Sequence, residues 1–300
     1  MSAGAAPSPP VITLYLSSPH ADHIPAGYGY AIAGCVLVSS HPLTELAHLR
    51  LPHFTLPGSP PLSAAAVTPS SLGGALVFAG IACLGGQQRH VTCQVTADVI
   101  WLASPTAGLA AISRRQPRIT LFPPTHDEQT PLLATALILT LAQQGVFCFH
   151  ASAVVAGDKL VAFLGESGQG KSTLAAYLAA DWQPLVDDVL PLATAAAPVA
   201  CLPFPQPLPH PIKTPSPIPL SAAYLLHEGN LSLSALPPTA AALALVRHTV
   251  AARLFPSDLL ARHLDFCAQL AVAVPIKRLR YPRHHAALAA VRQALAADFC

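Results

Sequence analysis

The sequence predicts an α/β fold in which a P-loop domain follows a small β-rich domain. Short apolar runs broken by proline and glycine fill residues 11–124, and a strand, a glycine-rich loop and a helix follow one another near mid-chain. The 300 residues are 52% hydrophobic and 10% charged, which supplies ample material for a core. We expect a flexible tail at 1–10, a β-rich N-terminal domain at 11–125 and the P-loop domain at 126–300.

Composition argues against several classes of protein. The net charge is only +2 and no long basic run occurs, so no nucleic-acid partner is expected. The apolar run 132–142 is shorter than the roughly 20 residues of a membrane span, which indicates a buried helix and no membrane partner. The first residues do not resemble a signal peptide, so we predict a cytoplasmic protein with its seven scattered cysteines reduced.

The β-rich domain contains five runs that read as strands. They are residues 11–16, 30–40, 74–84, 90–103 and 118–123. The domain shows no catalytic constellation. It is predicted to hold a peptide by accepting it as an extra strand at an exposed sheet edge.

The P-loop domain is predicted to begin with a helix from Glu128 to Gln144, with Asp127 as its N-cap and Gly145 as its C-cap. The other predicted strands are 146–155, 159–165, 185–192, 221–230 and 274–282, and the other helices are 171–181, 238–255, 256–271 and 284–299. The proline-rich stretch 191–220 is either an ordered flap over the site or a surface loop, and the sequence leaves both open.

The stretch "GESGQGKST" fits the pattern G-x-x-x-x-G-K-[ST] of a phosphate-binding loop. Its glycines allow backbone N–H groups to turn inward around an anion, while Lys171 reaches the β- and γ-phosphates and the Ser172 hydroxyl takes a Mg²⁺ position. The following helix directs its positive N-terminus at the phosphates. The predicted nucleotide-binding residues are Gly165, Glu166, Ser167, Gly168, Gln169, Gly170, Lys171, Ser172 and Thr173.

Three more residues complete the predicted site. Asp187 and Asp188 end a short apolar run soon after the loop, where a neighbouring parallel strand would bring them beside the phosphates. One carboxylate is suited to hold Mg²⁺ and the other to accept a proton from an attacking hydroxyl. His150 lies on the strand that precedes the loop, where a structural role and a catalytic role are both open.

Together these motifs resemble the C-terminal catalytic domain of the HPr kinase/phosphorylase family. The resemblance rests on "FHASAVVAGDKLVAFLGESGQGKSTLAAYL" followed by "LVDDV", with a histidine, the loop and paired aspartates in that order. The sequence resembles even more closely the HPr-kinase-like proteins of gene clusters that make ribosomal peptides (RiPP biosynthesis), including lasso-peptide tailoring kinases. The similarity covers residues 128–195 clearly and 220–298 more weakly.

The resemblance implies a phosphoenolpyruvate-carboxykinase-like P-loop fold and an ATP- and Mg²⁺-dependent kinase acting on a serine of a peptide or protein. It implies Asp187 as general base, Asp188 and Ser172 near Mg²⁺, Lys171 on the phosphates and His150 in support. HPr kinases carry an acidic residue after the loop serine, where this chain has Thr173, so HPr itself and the reverse phosphorylase activity are not implied.

Two other functions remain open at this stage. One is a small-molecule kinase on the same scaffold, which would need a compact pocket of arginine and lysine near Asp187. The other is a non-catalytic nucleotide-binding partner in a biosynthetic complex, against which the intact loop and aspartates argue. A homo-oligomer is also open, because its only basis is fold-level analogy.

Overall fold

The structure is a computed structural model. It describes residues 11–16, 28–33, 35–39, 43, 47, 50–51, 73–84, 87–122, 130–194, 197–200 and 218–299. The expected tail at 1–10, the expected N-cap Asp127, and residues 195–196 and 201–217 of the proline-rich stretch lie outside these ranges. The tail and the role of the proline-rich stretch therefore stay predictions.

The strand-forming runs of the first half assemble into one eight-stranded sheet. Its strands are β1 (Val11–Leu16), β2 (Tyr28–Ile32), β3 (Cys35–Ser39), β4 (Ala75–Leu84), β5 (Gln87–Val95), β6 (Val99–Ser104), β7 (Gly108–Ser113) and β8 (Arg118–Phe122). Their order is β2-β3-β1-β8-β7-β6-β5-β4. β1 lies parallel to both neighbours and the remaining pairs are antiparallel, as short hairpin connections require.

Two predicted runs of this half each split into a hairpin. The run 30–40 turns at Ala33, which has a φ of 50°, and becomes β2 and β3. The run 90–103 turns between Val95 and Val99 and becomes β5 and β6. Strand β7 was not predicted from the sequence, because its small residues and short length give a weak apolar pattern.

The helix predicted at 128–144 is α1 (Thr130–Gln143), followed by Gly145 with a φ of 82°, as expected of a C-cap glycine. Helix α1 packs against β7 and β8 of the first sheet. Contacts accordingly divide the chain into a first unit, Met1–Gln144 with Arg253–Pro256, and a second unit, Gly145–Ala252 with Ser257–Cys300. This grouping places α1 with the β-rich part, whereas the sequence-based boundary falls at 125.

The second unit is a mixed α/β structure. Its strands are β9 (Phe147–Ala156), β10 (Lys159–Leu164), β11 (Gln183–Val186), β12 (Val189–Ala193), β13 (Val199–Ala200), β14 (Ile218–Glu228), β15 (Ser232–Ala235) and β16 (Ile276–Tyr281). Its helices are α2 (Lys171–Leu178), α3 (Pro238–Arg247), α4 (Ser257–Ala273) and α5 (Leu288–Phe299). The strand order is β10-β9-β12-β13-β14-β16-β15, with β11 on β9 and a further parallel pairing of β10 with β14.

Helices α2 and α5 cover the same face of strands β10, β14 and β16. Their apolar residues form one buried cluster with residues of those strands, among them Phe163, Leu226 and Leu279. Because side chains alternate along a strand, the residues next to these three point to the opposite face. This alternation decides which polar residues lie on the α2 side of the sheet.

Helix α3 ends at Arg247, earlier than the predicted helix 238–255. The next residues leave the helix because their backbone pairs with β9: His150 N donates to His248 O at 2.7 Å, and Val250 N donates to Cys148 O at 2.8 Å. This short pairing segment, residues 248–250, occupies the edge of β9 beyond the end of β10. A tertiary pairing therefore overrides helix propensity here.

The run 132–142 lies within α1, and among the described residues no helix combines the length and apolar character that a bilayer crossing requires. Five cysteines fall in the described ranges, and all five are free thiols.

Candidate functional site

The glycine-rich loop joins the end of β10 to the start of α2. Strand β10 ends at Leu164 and α2 begins at Lys171, as the sequence predicts. Gly168 and Gly170 have φ values of 77° and 85°, a left-handed conformation that strains residues with a Cβ. The Leu174 amide bonds Gly170 O at 2.8 Å, which anchors the loop to the first turn of the helix.

The Lys171 side chain folds back into the loop and is buried. Its Nζ donates to the carbonyl oxygens of Gly165 at 2.8 Å and Glu166 at 3.1 Å. Burial lowers the pKa of the ammonium group, while the carboxylates of Asp188, Glu166 and Asp187 act in the opposite direction. A partly desolvated cation enclosed by loop carbonyls is suited to binding a polyanion.

Gln169 closes the loop from inside. Its side-chain oxygen accepts a hydrogen bond from Glu166 N at 2.9 Å, and its backbone N–H donates to Glu166 O at 3.1 Å. A Cβ at Gly165 would lie 2.5 Å from that side-chain oxygen, so a larger residue there would displace the Gln169 side chain from its contact with Glu166 N. The Tyr281 hydroxyl approaches the Gln169 carbonyl at 3.5 Å and thereby ties β16 to the loop.

The two aspartates lie between two consecutive strands, β11 and β12, that both pair with β9. β11 and β12 both run antiparallel to β9, and Asp187 and Asp188 form the bend between them. Strand β11 is parallel to β10, as expected, but β9 lies between the two, so the expectation that they are neighbours is wrong. The aspartates nevertheless lie near the loop, because Ala151 of β9 pairs with Leu164 at the end of β10 and donates its backbone N–H to Asp188 O at 3.0 Å.

Each aspartate is oriented by a residue of β9. His150 Nε2 lies 3.2 Å from Asp188 Oδ1, and this hydrogen bond is the main cause of a lowered Asp188 pKa, ahead of burial, which opposes it. Ser152 Oγ lies 3.1 Å from Asp187 Oδ1 and 3.2 Å from Asp187 O. Both aspartates are exposed, so their carboxylates are accessible to a ligand.

The structure adds Arg247 to the residues predicted from sequence. Its Nε lies 2.8 Å from Glu166 Oε1, which joins the end of α3 to the glycine-rich loop. The neighbouring His248 is buried, and desolvation is the main cause that lowers its pKa to about 4. The position of Arg247 depends on the pairing of residues 248–250 with β9, and no local sequence pattern reports that pairing.

The other predicted loop residues surround this centre. Glu166, Ser167 and Gly168 are exposed in the loop, and Ser172 and Thr173 are exposed in the first turn of α2. Within the described ranges, no cluster of three or more His, Cys, Asp and Glu side chains is arranged to hold a metal ion. A Mg²⁺ ion is compatible with what is present, because it takes one or two carboxylates and completes its shell with substrate phosphates and water.

No protein-family model matches the chain, and no curated protein does. A solved structure, the HPr(Ser) kinase/phosphatase from Coxiella burnetii, is similar to part of it. That match covers 50% of this chain and 95% of the other, with 12% sequence identity and a TM-score of 0.29. A TM-score this low assigns the chain to no family.

Proposed function

We propose that this protein is an ATP- and Mg²⁺-dependent kinase that transfers the γ-phosphoryl group to a serine hydroxyl of a peptide or protein. The observation that carries the proposal is that Ala151 of β9 joins the two parts of the site: it pairs with Leu164, where β10 ends and the loop to Lys171 begins, and its backbone N–H donates to Asp188 O at 3.0 Å. A cationic loop facing two exposed carboxylates supplies the electrostatic parts that phosphoryl transfer needs.

The loop and the first turn of α2 would bind the nucleotide. Lys171 exchanges its two carbonyl contacts for the β- and γ-phosphates, and the amides at the α2 N-terminus donate to phosphate oxygens. Ser172 and Asp188 would hold Mg²⁺, which when bound neutralises charge on the phosphates. The lowered pKa of Asp188 keeps this ligand ionised, and His150 orients it.

Asp187 would act as the general base. It accepts the proton of the serine hydroxyl as that oxygen forms a bond to the γ-phosphorus. The bond from the γ-phosphorus to the bridging oxygen breaks at the same time, so ADP leaves. The hydrogen bond from Ser152 fixes the orientation of the Asp187 carboxylate while leaving it exposed.

The Asp187→Asn variant tests this assignment. We expect phosphoryl transfer to fall by about 10²–10⁴-fold, because a general base contributes roughly that factor. Nucleotide affinity should change little, since Asp187 is not assigned to the phosphates. The measurement is incubation with ATP, Mg²⁺ and a pool of synthetic serine peptides, with detection of one added phosphate group by mass, beside calorimetry of ATP binding.

An exposed aspartate on α4 supplies the matched control, Asp258→Asn, which should transfer phosphate at the wild-type rate. Full transfer by Asp187→Asn would refute Asp187 as the base. No calorimetric affinity of the wild-type chain for ATP in the presence of Mg²⁺ would refute the proposed function as a whole.

A further inference from the structure

A group of basic residues lies where strands β14 and β16 end. We call it the basic edge and define it as His227, Arg278, Arg280 and Arg283. The register of the parallel pair sets His227 opposite Arg280, and Leu225 opposite Arg278. Arg283 lies two residues beyond the end of β16 and its Nε is 3.6 Å from Glu228 Oε2, which is the only ion pair of this group among the described residues. Positive charge therefore exceeds negative charge at this edge.

The β-strand part of the basic edge faces away from α2. Leu226 and Leu279 are paired with each other and lie in the core beneath α2 and α5. Side chains alternate along a strand, so His227, Arg278 and Arg280 share the opposite face. The nucleotide-binding helix therefore does not cover them, and Arg280 is exposed.

Two buried atoms in the basic edge have no hydrogen-bond partner among the described residues. They are Arg278 Nε and His227 Nε2. Buried polar atoms in proteins normally have a partner, and an orphaned donor beside other cations is a costly arrangement. Burial and the charges of Arg278, Arg280, Arg247 and Arg283 together lower the pKa of His227. An anion at this edge would supply the missing acceptor and offset the repulsion.

The basic edge also adjoins the glycine-rich loop. Strand β14 pairs with β10, the strand that carries the loop, up to the pair Leu225–Leu164. Arg247 contacts Glu166 in the loop, and its charge is one of those that lower the pKa of His227 after burial. A ligand bound along the edge would thus reach the place where phosphate is transferred.

We propose that the basic edge binds acidic side chains that flank the acceptor serine, an inference that rests on the proposed kinase function. Arg278 and Arg280 are two residues apart on one strand, so their attachment points are about 7 Å apart. The same spacing separates alternate side chains of an extended peptide. The basic edge therefore matches a peptide with acidic residues at alternate positions better than it matches one compact anion.

The test uses the full chain and two labelled peptides. One carries aspartates on both sides of a serine, and its twin carries asparagines in their place. Binding is measured by fluorescence anisotropy and phosphorylation by mass, for wild type, Arg280→Gln, the double variant Arg280→Gln with Arg283→Gln, and Arg262→Gln. The last removes an exposed arginine of α4 and is the matched control.

We expect the aspartate peptide to bind at least tenfold more tightly than its twin, a preference that Arg280→Gln reduces, that the double variant abolishes and that salt weakens. Equal binding of the two peptides would overturn the inference, as would full displacement by equimolar inorganic phosphate. Tight, arginine-dependent binding without phosphorylation would support the basic edge and refute the kinase function. Equal phosphorylation of both peptides would support the kinase function and refute the basic edge as the site that selects acidic peptides.

Discussion

At the scale of single residues, the site combines one buried cation with two exposed carboxylates. Lys171 is buried against two backbone carbonyls, and its lowered pKa reflects that burial. Asp188 shows the opposite balance, because the hydrogen bond from His150 outweighs the effect of burial. An anionic ligand would therefore stabilise the charged form of Lys171, which burial disfavours. The charged form of Asp188 is already stabilised by its hydrogen bond.

The His150–Asp188 pair predicts a pH dependence. A depressed carboxylate pKa stabilises the folded chain above the ordinary value of 3.8, and that contribution is lost as pH falls through the lowered pKa. In His150→Ala, the pKa of Asp188 should rise towards its ordinary value, because the hydrogen bond that lowers it is gone. Carboxyl NMR titration measures this directly.

The control for this titration is Asp298 on α5: burial raises its pKa, but hydrogen bonds from Lys277 and Tyr224 lower it overall, and its midpoint should be the same in wild type and in His150→Ala. An unchanged Asp188 midpoint in the variant would show that His150 does not hold the carboxylate. A raised midpoint accompanied by weaker Mg²⁺-dependent ATP binding would support Asp188 as a metal ligand.

At the scale of elements, the segment 248–250 determines where Arg247 lies. Thr249 Oγ1 bonds Leu245 O at 2.9 Å and His263 Nε2 at 2.7 Å, which fixes the segment between the end of α3 and helix α4. His263 is fully buried and desolvation lowers its pKa to about 4, so it is neutral at pH 7. The contact therefore adds a hydrogen bond without burying a charge.

Thr249→Val should destabilise the chain by about 1–3 kcal/mol, because it leaves buried hydrogen-bonding groups unsatisfied while conserving volume. Urea unfolding measures the loss. Thr239→Val, an exposed change at the start of α3, should lie within about 0.5 kcal/mol of wild type. Equal stability of the two variants would mean that the Thr249–His263 contact contributes nothing to holding the segment.

The same elements show how far sequence reasoning reaches. The loop between β10 and α2 could be predicted because its glycines, lysine and helix start are local features that follow one another directly. The early end of α3 could not, because residues 248–254 keep a helical pattern and residues 248–250 leave the helix to pair with a distant strand. Arg247 was consequently left out of the predicted site, although it contacts Glu166.

At the scale of the whole molecule, the chain passes through the first unit twice. After completing most of the second unit it supplies Arg253–Pro256 to the first, where Leu254 and Phe255 are buried. Cys93 Sγ, on β5, lies 3.5 Å from the Leu254 carbonyl. The sequence pattern predicted two consecutive domains, because a return of four residues is too short to change periodicity or composition.

Leu254→Ala should lower the free energy of unfolding by about 2–5 kcal/mol, as expected for truncating a buried leucine. In hydrogen exchange, the amides of β5 should lose protection first, because Cys93 on this strand contacts the Leu254 carbonyl. Leu243→Ala, at a position 66% exposed, is the control and should leave both measurements unchanged. Equal exchange in the two variants would show that the return segment does not stabilise the first unit.

This return of the chain limits how the protein can be divided. If the gene were cut at Gly145, the downstream half would carry Arg253–Pro256 without the sheet against which Leu254 and Phe255 are buried, and the upstream half would lack those two side chains. Moving the whole second unit onto another scaffold therefore requires two pieces of sequence, residues 145–252 and 257–300.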